Sequence, residues 1–437
     1  MQKTQEQPSL IWFRNDLRIH DNPMLAKAIA SGNPLLAVYC FDPRHYEVTE
    51  YGFKKTEKYR TQFLIESLKD LKSSLEKIGI SLLVYYDEPE YVIPSLVSKY
   101  DINEIYLQKE WTTEEVDVLN AVKANLLKNA TFHQEYGQFL IHPDDFHIDI
   151  ENLPKIFTEF RKQVEKQCKV RAEIEHSSYK QIFSPSEITQ IPSLEDLRFK
   201  NFETHPNSAF PFKGGETSAL NRLEEYIFKS QKLAHYKQTR NGLIGTDYSS
   251  KFSAWLANGC LSPRKIYWSV KQFEKEHIKN ESTYWLIFEL LWRDYFKYSS
   301  LKHGANLFKL GGIKQKDLKW NRNEQLLHQW MNGTTEETFV NANMLELNQT
   351  GWISNRGRQN VASYLSKTLK QDWRIGAAYF ESLLIDYDVH SNYGNWNYVA
   401  GVGNDPRDRE FNVKLQAERY DGSGRYQRLW LQKTLFK

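Results

Sequence analysis

Short apolar runs and helical stretches take turns through the first 136 residues, and then the alternation stops. Five runs, residues 9–13 (SLIWF), 35–41 (LLAVYCF), 80–85 (ISLLVY), 104–107 and 131–134, have the length and the β-branched and aromatic content of strands. Between them, residues 59–77, 90–99 and 113–127 repeat apolar side chains at helical spacing. Strands separated by helices predict a parallel, doubly wound sheet whose ligands lie beyond the C-terminal ends of the strands. No G-x-G-x-x-G follows the first strand, which disfavours ordinary NAD binding.

From Gly137 the pattern fades, and Pro143, Pro154, Pro185, Pro192, Pro206 and Pro211 punctuate a polar connector. From Gly214 almost everything reads as helix, most clearly residues 217–232, 263–275, 282–301, 338–348, 359–369 and 377–385. The expectation is an α/β domain over residues 7–136, a connector over 137–213 and an all-α domain over 214–437. A chain of 437 residues suits two or three domains.

Charge divides at the same place. Residues 1–215 hold 26 Lys+Arg against 32 Asp+Glu, and residues 216–437 hold 32 against 23. Ten of the twelve Trp also follow residue 215. A basic, Trp-rich half suits an anionic, planar partner such as a nucleic acid or a dinucleotide. The three cysteines, Cys40, Cys168 and Cys260, form no C-x-x-C pair, so neither a zinc site nor a disulfide framework is expected. No metal-ligand spacing of His occurs. No apolar run is long enough for a bilayer, and residues 1–8 read as neither a signal nor a transit peptide. A cytoplasmic protein without a membrane partner is expected.

Several blocks narrow the reading. Residues 13–18 (FRNDLR) and 20–23 (HDNP) follow the first strand, and 239–243 (TRNGL), 248–253 (YSSKFS), 289–294 (ELLWRD), 350–360 (TGWISNRGRQN), 384–388 (LIDYD) and 392–398 (NYGNWNY) follow in order. Together they resemble the photolyase–cryptochrome family over nearly the whole chain. The RGRQN and NWNY segments, followed by VAGVGNDP at 399–406, are similar to its DASH-type cryptochromes. The resemblance implies an α/β antenna domain and a helical FAD-binding domain.

Ser249, Ser250, Lys251, Phe252 and Ser253 precede a helical run. Hydroxyls and free backbone N–H groups at a helix start bind anions, or simply cap the helix. The resemblance implies that they hold the FAD diphosphate, with Tyr236 nearby. Glu289, Trp292 and Arg293 share one helical face. The resemblance gives Arg293 to flavin and phosphate, Trp292 to stacking on damaged bases and Glu289 to hydrogen bonding them. Buried charges need partners, so Arg358 with Asp386 is an expected ion pair, either structural or, by resemblance, beneath the flavin with Asp388 and Asn355. Asn392 matches the position facing flavin N5. Trp320, Trp373 and Trp396 each read as core tryptophans when taken singly, and together they match the family's electron relay. Gln359 and Tyr398 match substrate-pocket positions. Asn355 and Gln359 stand where photolyases for (6-4) photoproducts carry two histidines. Glu110, after the fourth strand, reads as a surface residue or, by resemblance, as an acid contacting a 5,10-methenyltetrahydrofolate antenna.

The implied activity is that of a deoxyribodipyrimidine photolyase. Reduced FAD would split cyclobutane pyrimidine dimers in single-stranded DNA, with RNA or looped-out duplex as further targets, in a monomer. A blue-light photoreceptor and a non-catalytic nucleic-acid-binding regulator are the alternatives. Asn392 and the absence of an extension after the helical half speak against the photoreceptor.

Overall fold

A computed structural model describes residues 7–432. Its first unit runs β1 (Ser9–Trp12), α1 (Pro23–Ala30), β2 (Leu35–Phe41), α2 (Lys58–Lys77), β3 (Ser81–Tyr86), α3 (Pro89–Tyr100), β4 (Glu104–Gln108), α4 (Thr113–Ala124) and β5 (Thr131–Glu135). The five strands form one parallel sheet in the order β3-β2-β1-β4-β5. The winding therefore reverses between β1 and β4, where a doubly wound sheet opens a crevice.

The strand period of two explains both faces. Ile11, Phe13, Leu35 and Ala37 join one core with Met24 of α1 and Leu68 of α2. Leu10, Trp12, Leu36 and Val38 join another with Val92 and Leu96 of α3 and Leu119 of α4. The expected strands occur within a residue or so of their predicted ends. Helix α1 lacked a strong apolar period; Pro23 at its first turn and Asn22, which caps Met24 N and Leu25 N, define it instead.

The connector carries α5 (Phe157–Gln167) and then runs without regular structure. It wraps the β3 edge: Thr189 Oγ1 accepts from Val84 N at 2.6 Å, and Phe183 enters the core beneath. An otherwise open strand edge is thereby covered.

The second unit is helical: α6 (Glu216–Glu224), α7 (Tyr236–Thr239), α8 (Ser253–Ala257), α9 (Pro263–Glu276), α10 (Glu281–His303), α11 (Glu324–Asn332), α12 (Thr338–Thr350), α13 (Asn355–Ser363), α14 (Trp373–Leu383), α15 (Val389–Ala400), α16 (Val413–Asp421) and α17 (Arg425–Leu431). Helices α6 and α13 each continue into a π-helical turn, at Glu225–Lys229 and Tyr364–Thr368.

Buried polar groups lock the two units together. Arg18 donates to Gly259 O at 2.9 Å and Gly137 O at 3.0 Å. Asp21 pairs with Arg264 at 2.6 Å, and Asp294 ties the start of the connector to α10 by accepting from Leu140 N and Ile141 N. Each bond satisfies a group that could not be buried alone. The FRNDLR and HDNP blocks supply much of this seam. Among the described residues no helix is long and apolar enough to cross a membrane, and no His/Cys/Asp/Glu cluster suits a metal.

Candidate active site

A cavity of about 400 Å³ opens in the helical unit. One wall is the segment 248–253, which turns into α8 through Lys251, held at φ +67°. Arg222 of α6 shapes this segment. It donates to Thr246 O, Ser249 O and Ser250 O at 3.2–3.3 Å and pairs with Asp247 at 3.0 Å. With the carbonyls of Ser249 and Ser250 gathered toward Arg222, these two serines line the cavity together with Ser253 and Tyr236. Lys251 Nζ is buried without a hydrogen-bond partner, 3.1 Å from the Tyr248 ring centroid. Burial pushes its ammonium pKa well down, against the opposing pull of Glu346. Serine hydroxyls beside an unpartnered buried amine, whose protonated form a neighbouring anion would favour, suit the polyanionic diphosphate of a dinucleotide.

The opposite wall carries charge. Arg358 donates to Asp386 at 2.9 Å and to Ile353 O at 3.1 Å, and its guanidinium lies 5.3 Å from the Trp352 ring centroid. Asp388 caps α15 by accepting from Ser391 N at 2.8 Å and pairs with Lys297 at 2.9 Å. Burial works against the Asp388 charge, but Lys297, with His390 and Arg293 assisting, holds its carboxyl well below the usual range. Asn392 is buried behind Ser391 and Asn395, which line the cavity where Asn392 does not. Its amide donates to Ala377 O of α14 at 3.0 Å.

Helix α10 presents Glu289, Trp292 and Arg293 to the same cavity, and Asn355, Gln359 and Tyr398 come from α13 and α15. Glu289 pairs with Arg240 at 2.6 Å and accepts from Trp285 Nε1 at 3.1 Å. Burial raises its carboxyl pKa, and Arg240 opposes the rise. Gln359 finds a partner in Arg356, whose Nη1 donates to its Oε1 at 2.8 Å. Trp292 already stacks on Phe157 of α5, centroids 3.8 Å apart and planes 13° apart, and meets Tyr398 edge-on at 6.1 Å. One face of Trp292 is thus taken by the connector.

Arg293 lines this cavity while its donors are spent on backbone. Its guanidinium donates to Gln138 O at 2.5 Å and Leu256 O at 3.1 Å. With Leu256, Ala257 and Asp388 it lines both this cavity and a second one of about 580 Å³. The second cavity lies at the β1/β4 reversal, between the units. Asn15 follows β1 there, and Glu110 follows β4. Gln108 Nε2 donates to Glu110 Oε1 at 2.8 Å, and burial raises the Glu110 carboxyl to about 7. Glu110 is therefore a half-buried wall residue facing a cavity.

The three tryptophans share the helical core. Trp396 and Trp373 are buried within it, and Trp320 packs against it. Asn321 N donates to Lys370 O, and Asp372 N to Asn321 O, both at 2.9 Å, which holds Trp320 beside the start of α14. Trp396 packs beneath Gly376, where any Cβ would lie 2.3 Å from its ring. Its ring neighbours are Phe380 and Trp330.

Sequence reasoning missed Arg222, Arg240, Lys297, Trp352 and Phe157. Lys297 was detectable: it stands four residues after Arg293 on the same helical face. Arg240 and Trp352 lie inside the TRNGL and TGWISN blocks. Phe157 carried no signal, because its role depends on where the connector folds.

Known proteins bear on this arrangement. The DNA photolyase family model matches residues 9–178, and that of the FAD binding domain of DNA photolyase matches residues 285–434. Cryptochrome DASH of Gloeobacter violaceus is 48% identical over 424 residues, 97% of this chain and 85% of that one. The crystal structure of a Synechocystis sp. cryptochrome superposes with a TM-score of 0.92 at 47% identity, covering 97% of this chain and 88% of that one. An archaeal photolyase from Sulfolobus tokodaii, solved with two FAD molecules, gives 0.78 at 26% identity, covering 97% and 90%. The parallel sheet, the helical FAD-binding unit and these similarities agree: the chain belongs to the photolyase/cryptochrome family, among the proteins named cryptochrome DASH.

Proposed function

We propose that this chain repairs cyclobutane pyrimidine dimers in light, preferentially in single-stranded DNA. One observation carries the reading: phosphate-suited serines, the Arg358–Asp386 pair and the base-suited side chains Trp292, Glu289, Gln359 and Tyr398 line one continuous cavity. FAD bound there in reduced form supplies the photoexcited electron that opens the dimer. The protein holds and orients. Ser249, Ser250 and Ser253 take the diphosphate, and Arg358 and Asp386 take the ring edge. Trp292 and Tyr398 offer aromatic surface to flipped-out bases, and Glu289, its acidity weakened by burial, offers a hydrogen bond where charge develops. Trp396, Trp373 and Trp320 would serve as the residues that relay electrons toward bound flavin.

The strand preference follows from the cost of extrusion. Taking a dimer out of a duplex costs on the order of a few kcal/mol, and least from an unpaired strand. Stacking returns roughly 1–3 kcal/mol per base. Duplex-active relatives of the type resembled place Trp and Met where this chain has Tyr398 and Gln359. Gln359 is bonded to Arg356, so an inserting base must compete for that amide. A shortfall of about 3 kcal/mol weakens duplex binding about a hundredfold.

The test illuminates reduced protein with dimers in a single strand, a bulged duplex and a perfect duplex at one salt concentration. Repair of the first two with little of the third is expected, and Tyr398→Trp with Gln359→Met should narrow the gap. Equal repair of all three refutes the preference. Flavin photoreduction without repair of any substrate favours a photoreceptor.

The second cavity would hold 5,10-methenyltetrahydrofolate as antenna, with Glu110 as an acceptor for it. The fluorescence of ligand released on denaturation distinguishes a folate from a second flavin.

A further inference from the structure

Tyr393 sits where the tryptophans meet the second cavity. Its ring stands edge-on to Trp373, centroids 6.3 Å apart and planes 78° apart, and also packs on Phe308 at 4.8 Å. Its hydroxyl donates to Glu381 Oε2 at 3.3 Å, and both residues line the second cavity. Glu381 is buried on α14. Burial pushes its carboxyl pKa up; Lys55, 3.9 Å away, and Arg60 pull it down, while Glu114 adds to the rise. Neither residue has a part in holding flavin or substrate.

The geometry points to Tyr393 as a proton-coupled end of the electron relay, with Glu381 as its base. This rests on the relay reading of Trp396 and Trp373. An electron passes from the Tyr393 ring to a Trp373 ring oxidised through Trp396, the ultimate oxidant being photoexcited oxidised flavin. The phenol proton crosses the existing hydrogen bond to the Glu381 carboxylate. Trp373 returns to its closed-shell neutral form, Tyr393 becomes a neutral phenoxyl radical, and Glu381 becomes a neutral acid. Electrons, protons and charge balance.

The base decides where the hole settles. A phenol that loses an electron becomes a strong acid, so its oxidation needs an acceptor within hydrogen-bond reach. Trp396 Nε1 and Trp320 Nε1 are buried without a partner, and Trp373 Nε1 donates to a backbone carbonyl, Leu310 O, at 3.0 Å. Of these four rings, only Tyr393 donates to a carboxylate. Once its proton has moved, the electron cannot return until the proton does.

The test is flash excitation of the oxidised, FAD-loaded protein without external reductant, read by transient absorption and by electron paramagnetic resonance. A tryptophan radical should give way to a tyrosyl radical. Tyr393→Phe should abolish the tyrosyl signal, keep the tryptophan signal and speed electron return. Glu381→Gln keeps a hydrogen bond without a base and should slow tyrosyl formation, as heavy water should in the wild type. Flavin content and the visible spectrum check the fold of each variant. A tyrosyl signal that survives Tyr393→Phe overturns the inference. So do tryptophan radicals without a tyrosyl radical in the wild type, and both outcomes leave the tryptophan relay standing. Absence of any tryptophan radical overturns relay and inference together.

Discussion

The two cavities are built in opposite ways. The first draws on a few unbroken blocks: 248–253, one face of α10, the start of α13, and residues 386–399. The second is assembled from scattered pieces: Asn15 after β1, His45 after β2, Arg60 of α2, Glu110 after β4, and Tyr387, His390 and Tyr393 at the far end of the chain. The first has a local grammar, with hydroxyls before a helix and charges three and four residues apart. The second exists only once the units dock. Yet they share a partition of Leu256, Ala257, Arg293 and Asp388. The difference teaches that one site can be specified locally and another by docking, while a few buried charges serve both.

The partition gives the largest expected effect. Lys297 and Asp388 are 3% and 11% exposed. Removing one partner of a buried pair leaves an uncompensated charge and costs about 3–5 kcal/mol, whereas replacing both with apolar groups is often neutral. Asp388→Leu should lower the melting temperature sharply and empty both cavities. Adding Lys297→Met should restore stability. If the double variant regains stability and folate but not FAD, the cavities share a wall and nothing more; if it regains neither ligand, the pair belongs to both sites. Unchanged stability in Asp388→Leu would break the comparison.

A smaller effect separates the cavities. Glu110 lines only the second. Hydrogen bonds to charged groups are worth about 1.5–3 kcal/mol, so Glu110→Gln should weaken folate retention roughly ten- to a hundredfold. FAD content and dimer repair under saturating light should not change. Loss of both chromophores, measured by absorbance after gel filtration, would show that the sites are coupled.

The same contrast governs how much the sequence discloses. The parallel sheet is legible because buried strands need continuous apolar runs, which β1 to β4 have, whereas the half-exposed edge strand β5 (TFHQE) shows mainly through its place in the alternation. The helices α10 and α12 follow from their length and apolar content. Helix α15 escapes a periodicity reading: polar Asn392, Asn395 and Asn397 interrupt its apolar face, and its turns are defined by the Asp388 cap. That helix nevertheless carries Trp396 and Tyr398. In the first cavity, the motif residues come together as their spacing suggests, with two details the spacing does not disclose. The Asn392 amide donates to Ala377 O, and Arg293 spends its donors on two backbone carbonyls. In the second, apart from the shared Arg293 and Asp388, Glu110 alone was visible beforehand, since no spacing rule links residue 15 to residue 393. Phe157 against Trp292 belongs to the same class, a contact that the connector's path decides.

The smallest effect concerns an acid just behind the first cavity. Glu346 of α12 is 1% exposed and accepts from the hydroxyl of Tyr426 of α17 at 2.6 Å. Burial raises its carboxyl to about 8, with Tyr426, Lys251 and Arg358 opposing the rise. A carboxyl raised on folding binds its proton more tightly in the native state, so the unfolded chain holds fewer protons between the two pKa values and stability falls as pH rises. The stability contributed by protonated Glu346 is full below about 4.5, the ordinary carboxyl value, and is lost as pH climbs through about 8. Glu346→Gln keeps an acceptor for Tyr426 and removes the titration. Wild type should therefore lose melting temperature relative to Glu346→Gln between pH 6 and pH 9, by a few degrees, and the two curves should run parallel above that range. Asp388, held low by Lys297, has the opposite sign: its contribution is present at neutral pH and, on the acid side, lost only in strong acid. Melting curves of wild type, Glu346→Gln and Asp388→Asn across pH separate the two carboxyls. If wild type and Glu346→Gln show the same slope from pH 6 to pH 9, Glu346 is already ionised beside Lys251, and the charge balance assigned to the wall of the first cavity is wrong.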